Sequence, residues 1–398
     1  MPRVAAIDCG TNSIRLLVAD VRPERCALTD VDRRMEIVRL GQGVDRTGRL
    51  APDALERTFR ALRRYADIIS ASGARAVRMV ATSATRDAQN SEDFVNGVRA
   101  ILGACPEVIT GDEEAGLSFA GATAELPGTG LAPPYLVVDI GGGSTEFVLG
   151  HGADASTAVA AAISVDIGSV RLTERHLHGD PPAPAEVAAA TADIDAALDV
   201  VAARTAATTA ATLVGLAGST TTVAAIALGL PEYDPAAVHH SRHSAAAVHA
   251  VTERLLGSSR AERSRIGSLH PGRVDVIGAG ALILDRVMSR LGFAEVVVSE
   301  HDILDGIALR LAAAPDVPAG KTANPAGEAA NRAAQAAGAA GQAADPSGHA
   351  ADRTGHADRT GQAADRTGHA DPAGEAADPA GEAAGPAAEN TARADGGR

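Results

Sequence analysis

The sequence predicts an α/β fold of two similar halves that face each other across a cleft, followed by a low-complexity tail. The main observation is a repeated unit: an apolar strand, an Asp-x-Gly-x-x-Ser turn and a second apolar strand. The turn occurs at Asp8–Ser13 and again at Asp139–Ser144. Each copy also has a charged residue two positions after the serine, Arg15 and Glu146. Two copies with matched spacing and matched flanks indicate an internal repeat.

The first half alternates predicted strands and helices. Apolar runs predict strands at 4–8 and 14–21, with short β patterns near 26–31 and 35–40. A helix begins at Pro52, carries apolar residues at helical spacing and ends at Gly73. A strand at 75–81, a helix with Ser91 as N-cap and a short strand at 106–109 follow. Another helix then opens on the consecutive carboxylates of Asp112–Glu114.

The second half follows a Pro/Gly linker at 126–134 and repeats the alternation. Its predicted strands are 135–139, 145–149, about 156–165 and 295–298. A third strand–turn–helix covers 212–225, with Gly218–Thr221 as the turn. Its predicted helices begin near 166, run from Pro184 to about 206, and cover 245–256, 274–290 and 303–311.

The composition limits the function. A hydrophobic fraction of 45% in 398 residues is enough for a large core, which aliphatic residues must fill because aromatic residues are only 2%. The net charge of −14 argues against nucleic-acid or membrane-surface partners. We find no secretion signal and no apolar run long enough for a bilayer. Three scattered cysteines form no disulfide framework, which favours a reducing, cytoplasmic setting.

The tail has a different composition from the rest of the chain. After Val317 it has no further Val, Ile, Leu, Met, Phe, Tyr or Trp, so it cannot bury enough apolar surface to fold. We therefore divide the chain into domains at 1–128 and 129–314 and a disordered tail at 315–398. The tail could serve solubility or contact a partner.

The repeated turns suit a phosphate ligand. Glycines let the backbone approach a ligand, and successive amides form a concave anion site. An Asp before such a turn can hold hydrated Mg²⁺. The alternative is a pair of ordinary β-hairpins with glycine turns. Arg86, after a Thr/Ser-rich strand end, is either a phosphate contact or a solvated residue in a capped helix.

Two further clusters leave alternatives open. The carboxylates at Asp112–Glu114 are either favoured by the helix dipole or include a general base. The histidines of His239-His240-x-x-His243 have no Cys or carboxylate beside them at ligand spacing. We therefore favour surface or core histidines over a zinc site.

Together, several motifs resemble the exopolyphosphatase / guanosine pentaphosphate phosphohydrolase (Ppx/GppA) family of the actin-like ATPase superfamily. The resemblance covers about residues 4–312, and the motifs that carry it are Ile7–Leu16, Ala81–Arg86, Gly111–Ala115, Val138–Glu146, Gly168–Glu174, Pro271–Ile277 and Ser299–Gly306. It implies two actin-like (ribonuclease H-like) α/β domains. It also implies removal of terminal phosphate from inorganic polyphosphate, or of the 5′ γ-phosphate from guanosine pentaphosphate (pppGpp), with Mg²⁺ or Mn²⁺.

The resemblance implies that Glu114 is the catalytic base and that Asp139 and Glu146 serve the metal and catalytic centre. Phosphoryl transfer mainly needs positioning and charge neutralisation. We expect the phosphate ligands to be Thr11, Asn12, Ser13, Arg15, Arg86, Gly141, Gly142, Gly143 and Ser144, with Gly218, Ser219 and Thr220 as further donors at a helix N-terminus. We expect the metal ligands to be Asp139, Glu146 and Asp8.

Two departures from the family bear on the substrate. Longer members carry an added helical domain where this chain has its tail, so we expect shorter polyphosphates. Gly218-Ser-Thr-Thr replaces the Gly-Gly-Thr of many relatives, which leaves nucleoside binding open. The alternatives are a pppGpp phosphohydrolase and a non-catalytic polyphosphate or nucleotide sensor. Retention of both Glu114 and Glu146 argues against the sensor. A sugar or acetate kinase fits the motifs less well. By analogy with the family, a homodimer is expected.

Overall fold

The computed structural model describes residues 1–152 and 159–313, which form two β-sheets covered by helices. The first sheet has five strands in the order β3-β2-β1-β4-β5. Its strands are β1 Arg3–Cys9, β2 Ser13–Arg22, β3 Ala27–Ile37, β4 Ala76–Ala81 and β5 Glu107–Val108. The first three strands pair antiparallel, whereas β4 and β5 run parallel to β1. The predicted tail at 315–398 lies outside the described residues.

The second sheet repeats this topology. Its strands are β6 Tyr135–Ile140, β7 Thr145–Gly150, β8 Val159–Val165, β9 Thr212–Leu216, β10 Arg242–Ser244 and β11 Glu295–Val298. Five of its strands, in the order β8-β7-β6-β9-β11, repeat the strand order of the first sheet and its pattern of parallel and antiparallel pairs. Strand β10 adds one antiparallel strand at the edge. The α/β fold of two similar halves predicted from the repeated turn is therefore confirmed.

Helices cover the faces of both sheets. Those from the first half are α1 Val44–Thr47, α2 Pro52–Ser72, α3 Ser83–Asp87, α4 Ser91–Leu102 and α5 Gly111–Thr123. Those from the second half are α6 Ser169–His176, α7 Pro184–Arg204, α8 Ala217–Ala227, α9 Pro235–Val238, α10 Ala245–Gly257, α11 Arg260–Arg263, α12 Ile277–Leu291 and α13 Ile303–Ala313. Among the described residues, every helix is too short or too polar to cross a bilayer.

Two helices cross between the halves. Helix α5 buries Phe119 against the second sheet, and α13 buries Ile307 against the first. They approach closely through glycines: a Cβ on Gly121 would lie 1.9 Å from the Asp302 carbonyl oxygen, and one on Gly306 would lie 2.0 Å from the Leu117 carbonyl oxygen. The crossing point therefore requires glycine on both helices, and it fixes the start of α5 at the cleft.

Three local predictions differ from the structure. The two short β patterns near 26–31 and 35–40 form one strand, β3, because β2 pairs with it along its whole length. Gly218–Thr221 lies in the first turn of α8 rather than in a loop, because α8 already begins at Ala217. The sharp turn from β9 into α8 is made at Ala217, whose φ is 62°. Asn90, not Ser91, is the N-cap residue of α4.

Candidate active site

The two repeated turns face each other and touch. A Cβ on Gly142 would lie 2.9 Å from Thr11 Cβ and 3.3 Å from the Asn12 amide nitrogen. A Cβ on Gly143 would lie 2.8 Å from Thr11 Oγ1. The second turn therefore needs glycines because the first turn occupies the space that a side chain would take. A cleft of about 80 Å³ opens between the turns.

Paired strands and one helix bring four acidic side chains together at this cleft, three of them on its wall and Glu146 directly behind Asp139. Asp8 lies opposite Arg15 in the β1–β2 ladder, and Asp139 lies opposite Glu146 in the β6–β7 ladder. Residues directly opposite in a ladder project from the same face, so each pair is adjacent. The fourth carboxylate, Glu114, comes from the first turn of α5, and all four acidic side chains are buried.

Burial first, and then repulsion from nearby carboxylates, raise the pKa of each of these carboxyl groups. Burial first, and then the nearby Asp139, raise the pKa of Glu146 to about 8. Burial raises the pKa of Asp139 to about 6 despite a hydrogen bond that opposes the shift. The pKa of Glu114 lies well above its ordinary value because of burial and then the charges of Glu146, Asp139 and Asp8. Such clusters of perturbed acids are typical of functional sites.

Each carboxylate is fixed by a hydrogen bond or an ion pair. Ser118, one turn after Glu114 on α5, donates to Asp139 Oδ2 at 2.7 Å. Ser164 on β8 donates to Glu146 Oε1 at 2.7 Å. Arg86 on α3 donates to the Ile109 carbonyl at 2.9 Å, and its Nη1 lies 3.4 Å from Glu114 Oε2.

Arg15 connects the first turn to the segment before α13. Its guanidinium donates to Asp8 Oδ2 at 2.7 Å and also pairs with Asp302. The other Asp8 oxygen, Oδ1, is buried without a hydrogen-bond partner among the described residues. An unpartnered buried oxygen beside further carboxylates is a donor set that suits a hard cation such as Mg²⁺. The residues present therefore fit the metal that the resemblance implies.

The structure brings most of the predicted site residues to the cleft wall. Those that line it are Asp8, Thr11, Asn12, Ser13, Arg15, Glu114, Asp139, Gly141, Gly142, Ser144, Gly218 and Ser219. The remaining four, Glu146, Gly143, Arg86 and Thr220, lie behind this wall. Glu146 borders Asp139, and Gly143 packs against Thr11. Arg86 holds Glu114, and Thr220 is fully buried in α8.

Several residues that organise the cleft were not singled out from the sequence. Arg171 on α6 donates to the Gly143 carbonyl at 2.7 Å, to Asp45 at 2.6 Å and to Asp87 at 2.5 Å. It therefore ties the second turn to the first half. Ser118 had a usable signal, because it is four residues after Glu114 and so on the same helix face. The sequence gives no such indication that Arg15 pairs with Asp302, because the two residues are far apart along the chain.

A larger cavity adjoins the cleft. It has a volume of about 380 Å³ and shares Arg15, Gly218 and Arg273 with the cleft. Arg33 and Arg34 on β3 add two more cationic side chains to its wall. Gly218 makes room for Arg273, since a Cβ there would lie 2.1 Å from Nη2 of the guanidinium.

The family model for the Ppx/GppA phosphatase family matches residues 17–313. The chain belongs to the Ppx/GppA phosphatase family. It is 50% identical over 323 residues to exopolyphosphatase 2 of Mycobacterium tuberculosis, a match that spans 78% of this chain and 99% of that protein. The resemblance stated from the motifs is thus confirmed.

Solved structures agree with this membership of the Ppx/GppA family. An exopolyphosphatase-like protein is 44% identical with a TM-score of 0.74, covering 78% of this chain and 98% of the other. The Ppx/GppA family member of Aquifex aeolicus is 32% identical with a TM-score of 0.66, covering 78% and 97%. An exopolyphosphatase from Cytophaga hutchinsonii, 23% identical with a TM-score of 0.72 and covering 79% and 99%, supports the fold.

Proposed function

We propose that this chain is an exopolyphosphatase that hydrolyses the terminal phosphoanhydride bond of inorganic polyphosphate, with Mg²⁺ or Mn²⁺ and with Glu114 as general base. The proposal rests mainly on one observation: the two repeated turns touch each other beside a cleft, and Glu114 lines that cleft. The 50% identity to a mycobacterial exopolyphosphatase supports the substrate class.

The cleft is large enough for the terminal phosphate of a polyphosphate but not for the whole substrate. Its volume of about 80 Å³ is below the ~300–1,000 Å³ of pockets that enclose drug-sized ligands. Backbone amides of Gly142–Ser144 and the polar groups of Thr11–Ser13 would surround the terminal phosphate. The predicted Gly141 amide instead donates to the Ser144 carbonyl at 3.0 Å and so closes the turn. Concave runs of amides bind anions without needing a cationic field, which this acidic chain lacks.

In the proposed reaction, a water attacks the terminal phosphorus and the bridging oxygen leaves with the shortened chain. Glu114 accepts the proton that this water loses, a role in which a pKa raised toward neutrality is an advantage. Arg86 contacts the same carboxylate and so orients it. Ser118 and Glu114 lie one turn apart on α5, so one helix positions both the base and the Asp139 carboxylate.

Asp8, Asp139 and Glu146 would hold the divalent ion. When bound, the ion would polarise the terminal phosphate and offset its charge. It would also reduce the repulsion that raises the pKa of Glu114, because the three carboxylates that repel Glu114 are these ligands.

The remainder of the substrate would occupy the adjoining cavity. Its walls include Arg33, Arg34 and Arg273, and Arg side chains pair well with phosphate oxygens. A cavity of about 380 Å³ accommodates a few further phosphates, in agreement with our expectation of short chains. It also has room for the nucleoside of pppGpp, with Tyr233 on its wall, so pppGpp hydrolysis is the second candidate function.

The test is phosphate release from polyphosphates of defined length and from pppGpp, with either Mg²⁺ or Mn²⁺. We expect Glu114→Gln to lower turnover by about 10²–10⁴-fold, the usual contribution of a general base. The matched control is Glu113→Gln, because Glu113 is the preceding residue but pairs with Arg78 at 2.8 Å and does not line the cleft. Equal activity of the two variants would exclude Glu114 as the base.

The same assay separates the alternatives. A higher rate on pppGpp than on any polyphosphate would favour the second candidate function. Tight polyphosphate binding without phosphate release by the wild type would identify a sensor instead of an enzyme.

Two further expectations belong to this proposal. The thiols of Cys9, Cys26 and Cys105 are unpaired in the part of the chain that the structure describes, which supports a reducing, cytoplasmic setting. A homodimer is expected by analogy with the family, and sedimentation of the full chain would measure it.

A further inference from the structure

A second group of metal-binding side chains lies outside the cleft. It consists of Glu125, His239 and His301. These residues come from three different connections: after α5, between α9 and β10, and between β11 and α13. The sequence places no carboxylate beside His239, but the fold brings Glu125 to it from more than a hundred residues away. None of the three residues lines the cleft or the adjoining cavity.

The three ligand atoms converge at the spacing of a shared ion. Nε2 of His239 and Nδ1 of His301 each lie 3.4 Å from the same oxygen, Oε2 of Glu125. All three atoms are within 4.8 Å of one another. These separations exceed the ~2.7–3.2 Å of an N–H···O hydrogen bond. Tetrahedral zinc with bonds of about 2.0–2.1 Å separates its ligand atoms by about 3.3–3.4 Å.

The environment of His239 supports ligation. Its Nε2 is buried and has no hydrogen-bond partner within residues 1–152 and 159–313. The ring is also held in place, because it stacks on His240 with centroids 3.8 Å apart.

The other nitrogen of His239 connects this group to the cavity. The amide of Glu300 donates to Nδ1 at 3.1 Å, so the metal-free ring carries its proton on Nε2. Ligation through Nε2 would require this proton to move to Nδ1 and would cost the hydrogen bond from the Glu300 amide. The Glu300 carboxylate accepts a hydrogen bond from Tyr233, and both side chains line the cavity beside the cleft.

We propose that Glu125, His239 and His301 bind a divalent transition-metal ion, with Zn²⁺ as the best fit. Two imidazoles and one carboxylate select such ions over Mg²⁺, which prefers oxygen ligands alone. The fourth position is open to water, because the Glu125 side chain is 44% exposed and that of His301 is 25% exposed. The ion joins the end of α5 to the segment that begins α13, and so stabilises the point where the two helices cross.

The experiment uses the full chain, stripped with a chelator and titrated with Zn²⁺ or Co²⁺ alone. We expect one tight equivalent of Zn²⁺ by calorimetry, visible absorption bands of low-symmetry Co²⁺, and a rise in Tm with Zn²⁺. His301→Ala and Glu125→Gln should each weaken binding at least tenfold and abolish the Tm rise. Glu125 is exposed and in a turn, so its variant tests the site without disturbing a core.

The matched control is His249→Ala. This histidine is exposed and contacts Asp285, away from the three ligands, so its variant should bind Zn²⁺ as the wild type does. Weak binding that persists in all variants would belong to other histidines, including His349, His356 and His369 of the tail. If both ligand variants keep the tight equivalent and the Tm rise, the proposed site is wrong. The readouts are binding and unfolding, so they are independent of the proposed hydrolase activity.

Discussion

Replacing Gly142 with alanine tests whether contact between the two turns makes the active site. The added Cβ would lie 2.9 Å from Thr11 Cβ, whereas ordinary contacts are 3.4–4 Å. The turns must therefore separate by about 0.5 Å or more. Rotation of the Thr11 side chain does not move its Cβ, and the nearest atom outside Thr11 is the backbone nitrogen of Asn12 at 3.3 Å, so the contact can be relieved only by a shift of the backbone.

We expect Gly142→Ala to destabilise the fold by about 1–3 kcal/mol, as overpacking of a tight contact usually does. We also expect turnover to fall by about 10–100-fold, since misplacement by 1 Å can cost about 10²-fold. Phosphate release is measured well below the Tm of the variant, so that unfolding does not contribute. The control is Gly257→Ala, where a Cβ meets nothing within 4 Å. If Gly142→Ala matches this control in both Tm and rate, the apposed turns do not define the site.

Substitutions at three other positions test the charges and polar contacts around the cleft. The pKa of Glu146 is about 8 in the folded protein and about 4.5 in the unfolded chain, so the metal-free wild type loses stability as the pH rises between these two values. Glu146→Gln removes this loss. Its Tm should therefore exceed that of the wild type at pH 8 but not at pH 5. Ser118→Ala should shift the acid limb of the pH–rate profile to higher pH by about one unit, because it removes a hydrogen bond that favours the ionised form of Asp139. A loss of rate that is the same at every pH would contradict this role. Arg171→Met and Arg171→Lys should each lower the free energy of unfolding by about 2 kcal/mol, because neither side chain can bond to all three acceptors that the guanidinium bridges. A Lys variant with the Tm of the wild type would contradict this.

The part of the fold that repeats locally could be predicted from the sequence. The Asp-x-Gly-x-x-Ser turns lie between apolar runs, and this local pattern predicts the strands that the structure pairs as β1–β2 and β6–β7. Gly73 and Gly103 end α2 and α4 in the left-handed conformation that glycine favours. In each case, the structure depends on residues close together in sequence.

Features that depend on tertiary packing could not be predicted in this way. Nothing near Arg15 indicates that Asp302 will pair with it, because the partner arrives on the segment before α13. Likewise, Arg86 follows a polar strand end and invites a phosphate role, yet the fold places it against Glu114 and the Ile109 carbonyl. The histidines at 239–243 lack a local carboxylate, which Glu125 supplies only after folding.

The repeat also explains why a symmetric fold makes an asymmetric site. In the first copy, Arg15 is opposite Asp8, and its guanidinium pairs with both Asp8 and Asp302. In the second copy, the equivalent position is Glu146 opposite Asp139, so two buried acids lie side by side. Two adjacent carboxylates in a buried site cannot both ionise without a compensating charge. The difference in charge between the two copies therefore arises at one position, which is Arg15 in the first and Glu146 in the second. We expect the proposed divalent ion to lie nearer the second turn, where it would offset the charge of Asp139 and Glu146.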